Sequence, residues 1–205
     1  ALWLYGRHAV LAAVANPARR IRRLIALPET VEDLAAATAA VEQPRPVVET
    51  VDRNAIARLL PAQAVHQGFA AVVEPLAALT LDDLLDQPEP LPPTLVVLDQ
   101  VEDPRNVGAI VRLAAAFRAG AVILQDRHAP SFSGALAKAA SGGLETVPLV
   151  RVVNIARALA DLYQLPIRVT HAGDSPGGVD VIHHGDQKEV CHGCADCPAP
   201  RFHRC

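Results

Sequence analysis

The sequence predicts two α/β units joined by an acidic, proline-rich segment. Short strand patterns alternate with helical patterns on both sides of that segment, as in α/β proteins. Strand patterns in the second unit are unbroken apolar runs, which suit a parallel sheet covered on both faces. The segment between the units holds four prolines within residues 88–93, a composition that extends the chain. We therefore divide the chain into a unit at 1–76, a linker at 77–93, a unit at 94–163 and a tail at 164–205.

The first unit is predicted to be a small α/β sandwich. Apolar residues recur at helical spacing between residues 6 and 15, and Asn16-Pro17 ends that run. Asp52 is placed to cap a later helix. The predicted strands are 21–27, 46–51 and 69–73, and the further predicted helices are 31–41 and 53–60.

The second unit repeats the alternation with longer apolar runs. Its predicted strands are 95–99, 121–125 and 147–152, and its predicted helices are 104–119, 134–140 and 154–162. One more strand is predicted at 167–170, after which we expect no regular periodicity. The tail from residue 164 contains all four cysteines and five of the eight histidines.

Composition narrows the class of protein. Apolar residues make up 51% of the chain, enough to bury a core. The longest apolar runs fall short of the roughly 20 residues that cross a bilayer, and no basic-then-apolar leader opens the chain. We therefore expect a soluble, cytoplasmic protein with no membrane partner. The chain starts at Ala1 and contains no methionine, so we expect a fragment or a processed N-terminus.

Charge is unevenly distributed. The net charge of −3 argues against a uniformly basic nucleic-acid binder, but residues 77–99 carry five acidic residues and no basic ones. The densest basic cluster is suited to contacting phosphates, although a solvated turn is the alternative interpretation. This cluster comprises Arg19, Arg20, Arg22 and Arg23.

The most informative stretch is the buried strand at 95–99, which leads through a turn into a helix. Asp103 is placed to cap the helix and Pro104 to occupy its first turn, so backbone N–H groups point outward at the carboxyl end of the strand. Ligands bind at this edge in open α/β sheets. Asn106 offers a donor and an acceptor, Gly108 allows close approach of a backbone or ligand, and Arg112 supplies a permanent cation.

Several spaced motifs resemble the SpoU (TrmH-type) family of RNA 2′-O-ribose methyltransferases, in the SPOUT superfamily. The resemblance covers about residues 2–162. Its central motif is Asp103-Pro104-Arg105-Asn106-Val107-Gly108, followed by Arg112, Ala114 and Ala115. The other motifs occur in the same order as in the family. Two precede the central motif, Leu4-Tyr5-Gly6-Arg7-His8-Ala9-Val10 and His66-Gln67-Gly68, and one follows it, Lys138-Ala139-Ala140-Ser141-Gly142-Gly143-Leu144-Glu145 with Pro148.

The resemblance implies an RNA substrate-binding domain followed by a knotted α/β catalytic domain that binds S-adenosylmethionine, usually as a homodimer. It implies that Arg112 helps to activate the ribose 2′-hydroxyl and that Asn106 organises the site. A fixed cation stabilises a developing alkoxide, whereas the high pKa of arginine makes it a weak general base. The alternative for Arg112 is a solvated helix residue. By analogy, the substrate is expected to be large-subunit ribosomal RNA rather than transfer RNA.

Four other residues are candidate RNA contacts. Arg7 and His8 open the first helix near its positive end and could meet phosphate, or could simply be solvated there. Lys138 and Ser141 could contact RNA or a partner subunit, or could mark only a helix end at Gly142.

The chain departs from the family pattern after residue 162. A Gly-Ala-Glu-Gly-like loop and a Ser-Leu-Asn segment are expected there, and the sequence contains neither. We therefore expect a truncated catalytic domain without its cofactor-binding segment. Two functions follow: a methyltransferase in the intact gene product, or a non-catalytic RNA-binding remnant.

The tail permits a third, different function. Its cysteines and nearby histidines could form a tetrahedral zinc site in a regulatory protein. Against this, the cysteines are closely spaced and no apolar pattern surrounds them. We favour a tail translated out of frame, given its abrupt change of composition. The candidate metal ligands are Cys191, Cys194, Cys197 and Cys205.

Overall fold

The computed structural model describes residues 1–86, 94–127 and 129–162, together with the backbones of two later strands, Ile167–Ala172 and Val179–His184. Helices and strands alternate over residues 2–162, as predicted, and the two later strands pair with each other. No helix in this part of the chain has the length and apolar character needed to span a membrane.

The N-terminal unit is a four-stranded sheet with three helices. Its strand order is β1-β4-β2-β3, with β4 antiparallel to β1 and β2, and β2 parallel to β3. The first strand was not predicted from the sequence. In chain order the elements are β1 (Leu2–Tyr5), α1 (Arg7–Ala15), β2 (Ile21–Ala26), α2 (Val31–Ala39), β3 (Val48–Thr50), α3 (Arg53–Leu59) and β4 (Phe69–Val73).

Helices cover both faces of this sheet, as expected for an α/β sandwich. Adjacent residues of β2 point to opposite faces: Leu24 packs with Val10 of α1 and Leu34 of α2, while Ile25 packs with Ile56 of α3. The predicted cap of α3 is present, because the Asp52 carboxylate accepts a 2.7 Å hydrogen bond from the backbone N–H of Ala55.

Part of the predicted linker is instead a packed helix, α4 (Leu81–Leu85). Thr80 and Asp83 form a reciprocal capping box, in which the Thr80 hydroxyl accepts from the Asp83 N–H at 3.1 Å and the Asp83 carboxylate accepts from the Thr80 N–H at 2.9 Å. Leu84 is buried in the core of the second unit, and Leu79 pairs with Val150. The segment therefore docks on the second sheet before the prolines, which lie outside the described residues.

The second unit is a five-stranded sheet with order β7-β6-β5-β9-β8. The three predicted strands β5, β6 and β7 are parallel, whereas β9 is antiparallel to both β5 and β8. The elements are β5 (Thr94–Leu98), α5 (Pro104–Ala116), β6 (Ala121–Gln125), α6 (Gly134–Ala140), a 3₁₀ helix (Gly143–Glu145), β7 (Leu149–Val152), α7 (Ile155–Leu162), β8 (Ile167–Ala172) and β9 (Val179–His184).

The expectation of no periodicity beyond residue 170 is wrong for β9. This strand contains Asp180 and two histidines, so its apolar residues form too short a pattern to be recognised alone. The tail cysteines lie outside the described residues. Within the described part of the chain, no group of three or more acidic, histidine or cysteine side chains is placed to hold a metal ion.

The cores of the two units meet. In β5, Val96 faces α5 and α6, whereas Val97 faces α4 and α7. The core under α5 and α6 is continuous with the core of the N-terminal unit, since α6 packs on β1 and the 3₁₀ helix packs on α1. The N-terminal unit is thus docked directly on the helices that follow the predicted motif.

Candidate functional site

The site begins at the N-terminus of α5, beyond the carboxyl end of β5. The Asp103 carboxylate caps this helix by accepting a 2.9 Å hydrogen bond from the Arg105 N–H, and Pro104 occupies the first turn, as predicted. Val107, Val111 and Ala114 form the buried face. The opposite side of the helix is exposed and carries the polar residues of the motif.

Gly108 brings α6 against α5. A Cβ atom at this position would lie 2.6 Å from the Leu136 carbonyl oxygen and 2.6 Å from the Cβ of Ala139. The sequence left open whether this glycine admits a backbone or a ligand, and the structure shows a backbone. The contact places the C-terminal half of α6 beside Arg112.

A cavity of about 390 Å³ lies where α5, α6 and the N-terminal unit meet. We call it the basic cavity, because it is lined by three cations, Arg105, Arg112 and Lys138, and by no acidic side chain of the described residues. Ser141, Tyr5 and the loop at residues 63–65 complete most of its surface. Among the described residues, neither arginine side chain has an ion-pair partner.

Lys138 connects the two sides of the basic cavity. Its ammonium group donates a hydrogen bond to the Val65 carbonyl oxygen of the N-terminal unit. Burial lowers the pKa of Lys138 from its ordinary value. Ser141 ends α6 in the left-handed conformation, with φ of 48°, which turns the chain toward Gly142.

The structure therefore brings together three of the predicted residues, Arg112, Lys138 and Ser141. Asn106 is exposed on another side of α5 and does not line the cavity. Arg105 was not predicted as a site residue. It precedes Arg112 by seven residues, which places both on the same side of a helix, and that spacing was the available signal.

Arg7 and His8 are exposed at the start of α1 and do not line the basic cavity. The backbone N–H of Arg7 donates to the Gln67 side-chain oxygen at 3.2 Å, and its guanidinium lies 3.4 Å from the Asp33 carboxylate. Their role in RNA contact stays a prediction.

The predicted basic cluster is dispersed in the structure. The Arg19 side chain is 4% exposed and paired with Glu145, so it is not available to a phosphate, and the expectation for this residue is corrected. Arg22 pairs with Glu74 at 2.6 Å, and Arg20 is exposed with no ion pair among the described residues.

Arg23 has its own acidic partner on the neighbouring strand. Its guanidinium makes two hydrogen bonds, of 2.9 and 2.7 Å, to the Glu49 carboxylate. These bonds raise the pKa of Arg23 and lower the pKa of Glu49. Sequence proximity alone therefore overstated the positive surface, because acidic residues distant in sequence neutralise part of it.

His66 is buried beside the loop that lines the basic cavity. Its Nδ1 accepts a 3.1 Å hydrogen bond from the Gly68 N–H, which requires a ring that is unprotonated at that nitrogen. Burial, followed by the charges of Arg53 and Lys138, lowers the pKa of His66.

We expect His66 to make stability depend on pH. Because its pKa in the folded state lies below the unfolded value of about 6.5, its stabilising contribution is complete above that pH and is lost as the pH falls through the folded pKa. Thermal unfolding is measured between pH 8 and pH 5. The midpoint temperature of the wild type should fall more steeply with decreasing pH than that of His66→Asn, because asparagine keeps a hydrogen-bond acceptor but does not titrate. Identical profiles would contradict the assignment.

Two family models match the chain. Residues 3–79 match the model for RNA 2′-O ribose methyltransferase substrate binding, and residues 93–188 match the SpoU rRNA Methylase family. The second match runs past residue 162, where the motifs recognised in the sequence end.

Curated relatives agree with these matches. The chain is 34% identical, over 190 residues, to an uncharacterized tRNA/rRNA methyltransferase of Synechocystis sp., covering 91% of this chain and 48% of the relative. It is 37% identical, over 182 residues, to the 23S rRNA (guanosine-2′-O-)-methyltransferase RlmB of Burkholderia sp., covering 83% of this chain and 69% of the relative. The chain thus spans about half the length of the first of these relatives.

Solved structures share the fold. The SpoU methyltransferase AviRb from Streptomyces viridochromogenes, in complex with AdoMet, superimposes with a TM-score of 0.59 at 22% identity, over 79% of this chain and 58% of that one. An rRNA methyltransferase from Sinorhizobium meliloti superimposes with a TM-score of 0.55 at 24% identity, over 78% of this chain and 58% of that one. From the matched models, the relatives and this fold, we conclude that the chain belongs to the SpoU family of RNA methyltransferases.

Proposed function

We propose that this protein takes part in methyl transfer from S-adenosylmethionine to a ribose 2′-hydroxyl of RNA. The observation that carries the proposal is the basic cavity, in which Arg112 of the motif lies with Arg105 and Lys138 between α5, α6 and the N-terminal unit. Three cations in a cavity that no described acidic side chain lines suit the phosphates and the developing alkoxide of an RNA substrate.

In this proposal Arg112 stabilises negative charge on the 2′-oxygen. An arginine guanidinium is a permanent cation and a poor proton acceptor, so in this proposal the hydroxyl proton passes to solvent water and not to Arg112. A fixed cation that is already in place as charge develops lowers the barrier without reorganisation. Asn106 does not line the cavity, so we assign it no contact with the reacting hydroxyl.

The basic cavity does not fit the cofactor itself. The sulfonium group of S-adenosylmethionine is positively charged, and the cavity offers it three cations and no carboxylate. We therefore assign the cavity to RNA and route no step through the cofactor. A second function compatible with the same cavity is RNA binding without turnover, and the assay described below separates the two functions.

Ribosomal RNA is the proposed substrate class. The support is that the Burkholderia relative is named as a 23S rRNA methyltransferase and that a substrate-binding model matches the N-terminal unit.

We also propose a homodimer in the cytoplasm. Leu113 and Phe117 of α5 are 53% and 78% exposed, and a partner subunit could cover them.

A methyl-transfer assay tests the proposed activity. The purified chain is incubated with labelled S-adenosylmethionine and a ribosomal RNA fragment, and incorporation is compared among wild type, Arg112→Ala and the exposed control Arg157→Ala on α7. We expect Arg112→Ala to lower kcat by about 10²–10³, as for loss of one oxyanion-stabilising group. RNA retention without incorporation would support the non-catalytic function, and full incorporation by Arg112→Ala would contradict its assigned role.

A further inference from the structure

A buried ion pair joins the two units away from the basic cavity. The guanidinium of Arg19 binds the Glu145 carboxylate through two nitrogens, Nε to Oε2 at 3.1 Å and Nη2 to Oε1 at 2.7 Å. The amide of Asn16 also donates to Glu145 Oε2, at 2.7 Å, and the third guanidinium nitrogen of Arg19 donates to the Glu74 carbonyl at 2.8 Å. The two charged side chains are 4% and 5% exposed.

The segment that supplies these donors is itself fixed. The guanidinium of Arg45 donates to the carbonyl oxygens of Val14, Asn16 and Arg19 at 2.7 Å each. It thereby satisfies two carbonyl groups at the C-terminal end of α1, those of Val14 and Asn16, and one in the turn that follows. Asn16 and Arg19 are therefore held in place where Glu145 meets them.

The N-terminal unit also contacts both ends of α6. At the start of the helix, a Cβ on Gly134 would lie 2.4 Å from a ring carbon of Tyr5 and 2.6 Å from the Trp3 carbonyl oxygen. Just after the helix, a Cβ on Gly142 would lie 2.7 Å from the Cβ of Ala12. Backbones approach so closely at these positions that the two units have little freedom to shift.

We propose that the N-terminal domain forms a fixed side of the RNA site, with Arg19 and Glu145 as its positioning residues. They hold the loop at residues 63–65 over Arg105, Arg112 and Lys138, so that one nucleotide of the RNA binds between the two domains. This inference rests on the proposed function and adds that the two domains bind the same nucleotide.

The energetics favour docking over a freely tethered domain. Separating the domains would expose to water the apolar core that they share, which is unfavourable in proportion to the area uncovered. It would also break the hydrogen bonds that Arg19 and Asn16 make to Glu145, although water would then solvate both charges. Neither residue lines the basic cavity, so their effect on RNA passes through the position of the loop.

The size and charge of the cavity indicate its ligand. Its volume of about 390 Å³ lies near the lower end of ligand pockets. It accepts a single nucleotide with its phosphate rather than a duplex. Gln63 of the loop is exposed and faces this space from the N-terminal side.

The first test adds one negative charge to the loop. Dissociation constants of the full chain for a short single-stranded RNA are measured for wild type, Gln63→Glu and the matched control Gln43→Glu, an exposed residue of the same domain that does not line the cavity. We expect Gln63→Glu to weaken RNA binding about tenfold and Gln43→Glu to weaken it less than twofold, because only the carboxylate introduced at position 63 lies close to the bound phosphate. Equal effects of the two variants would overturn the inference.

The second test removes the ion pair. Glu145→Gln deletes a negative charge, which on electrostatic grounds alone would tighten RNA binding, whereas loss of domain register should weaken it severalfold. Asp126→Asn deletes a surface charge and is the matched control. If Glu145→Gln tightens RNA binding as much as Asp126→Asn does, the positioning role is overturned.

The inference and the proposed function can fail separately. If methyl transfer persists while both tests fail, only this inference is lost. If the wild type does not bind RNA, the proposed function is lost as well.

Discussion

Replacing Arg19 with methionine is expected to lower the free energy of unfolding by about 3–5 kcal/mol, because it leaves a buried carboxylate without its cation. Among the described residues, the carboxylate of Glu145 then keeps only its hydrogen bond from Asn16. Urea unfolding followed by circular dichroism measures the change, and a constant slope against urea concentration would show that compactness is unaltered.

Two further variants isolate the ion pair. The double variant Arg19→Met/Glu145→Leu removes both charges, so it should recover most of the lost stability. Arg23→Met breaks the Arg23–Glu49 pair, whose side chains are 44% and 43% exposed, and should cost about 0–1 kcal/mol. A loss in Arg19→Met no larger than in Arg23→Met would contradict the structure.

Replacing Gly108 with alanine is expected to lower the free energy of unfolding by about 1–3 kcal/mol, the cost of overpacking a close contact. The added methyl group would lie 2.6 Å from a backbone oxygen of α6, which cannot move as a flexible side chain can. Helix propensity predicts the opposite sign, since alanine is favoured over glycine by about 1 kcal/mol within a helix.

Ala109 provides the matched reverse substitution. It is exposed and lies next to Gly108 in α5, so Ala109→Gly should cost about 1 kcal/mol through propensity alone. Packing therefore predicts that both substitutions destabilise, whereas propensity alone predicts changes of opposite sign. Stabilisation by Gly108→Ala in thermal or urea unfolding would show that the α5–α6 contact is looser than described.

The alternation of helices and strands could be predicted from the sequence because it depends on local periodicity. The parallel strands β5, β6 and β7 were visible as unbroken apolar runs, and the caps Asp52 and Asp103 as single residues at helix starts. Helix α4 was missed because acidic residues and prolines around it obscured the capping box of Thr80 and Asp83.

The site could be predicted only where its residues share one helix or motif. Arg112 was identified within its motif, and the heptad spacing to Arg105 was available but unused. The pairing of Arg19 with Glu145 could not be predicted, because 126 residues separate the two in sequence and only the docking of the two units brings them together. The cluster of four arginines therefore suggested an RNA-binding surface, whereas three of these side chains form ion pairs within the protein.

The contacts at both ends of α6 constrain how the two domains can be exchanged between relatives. A chimera that takes its N-terminal 79 residues from another family member needs residues there that are compatible with Gly134, Gly142 and Glu145 of the second unit. The N-terminal unit is thus not a free module in this chain, and the two units are expected to have changed together during evolution.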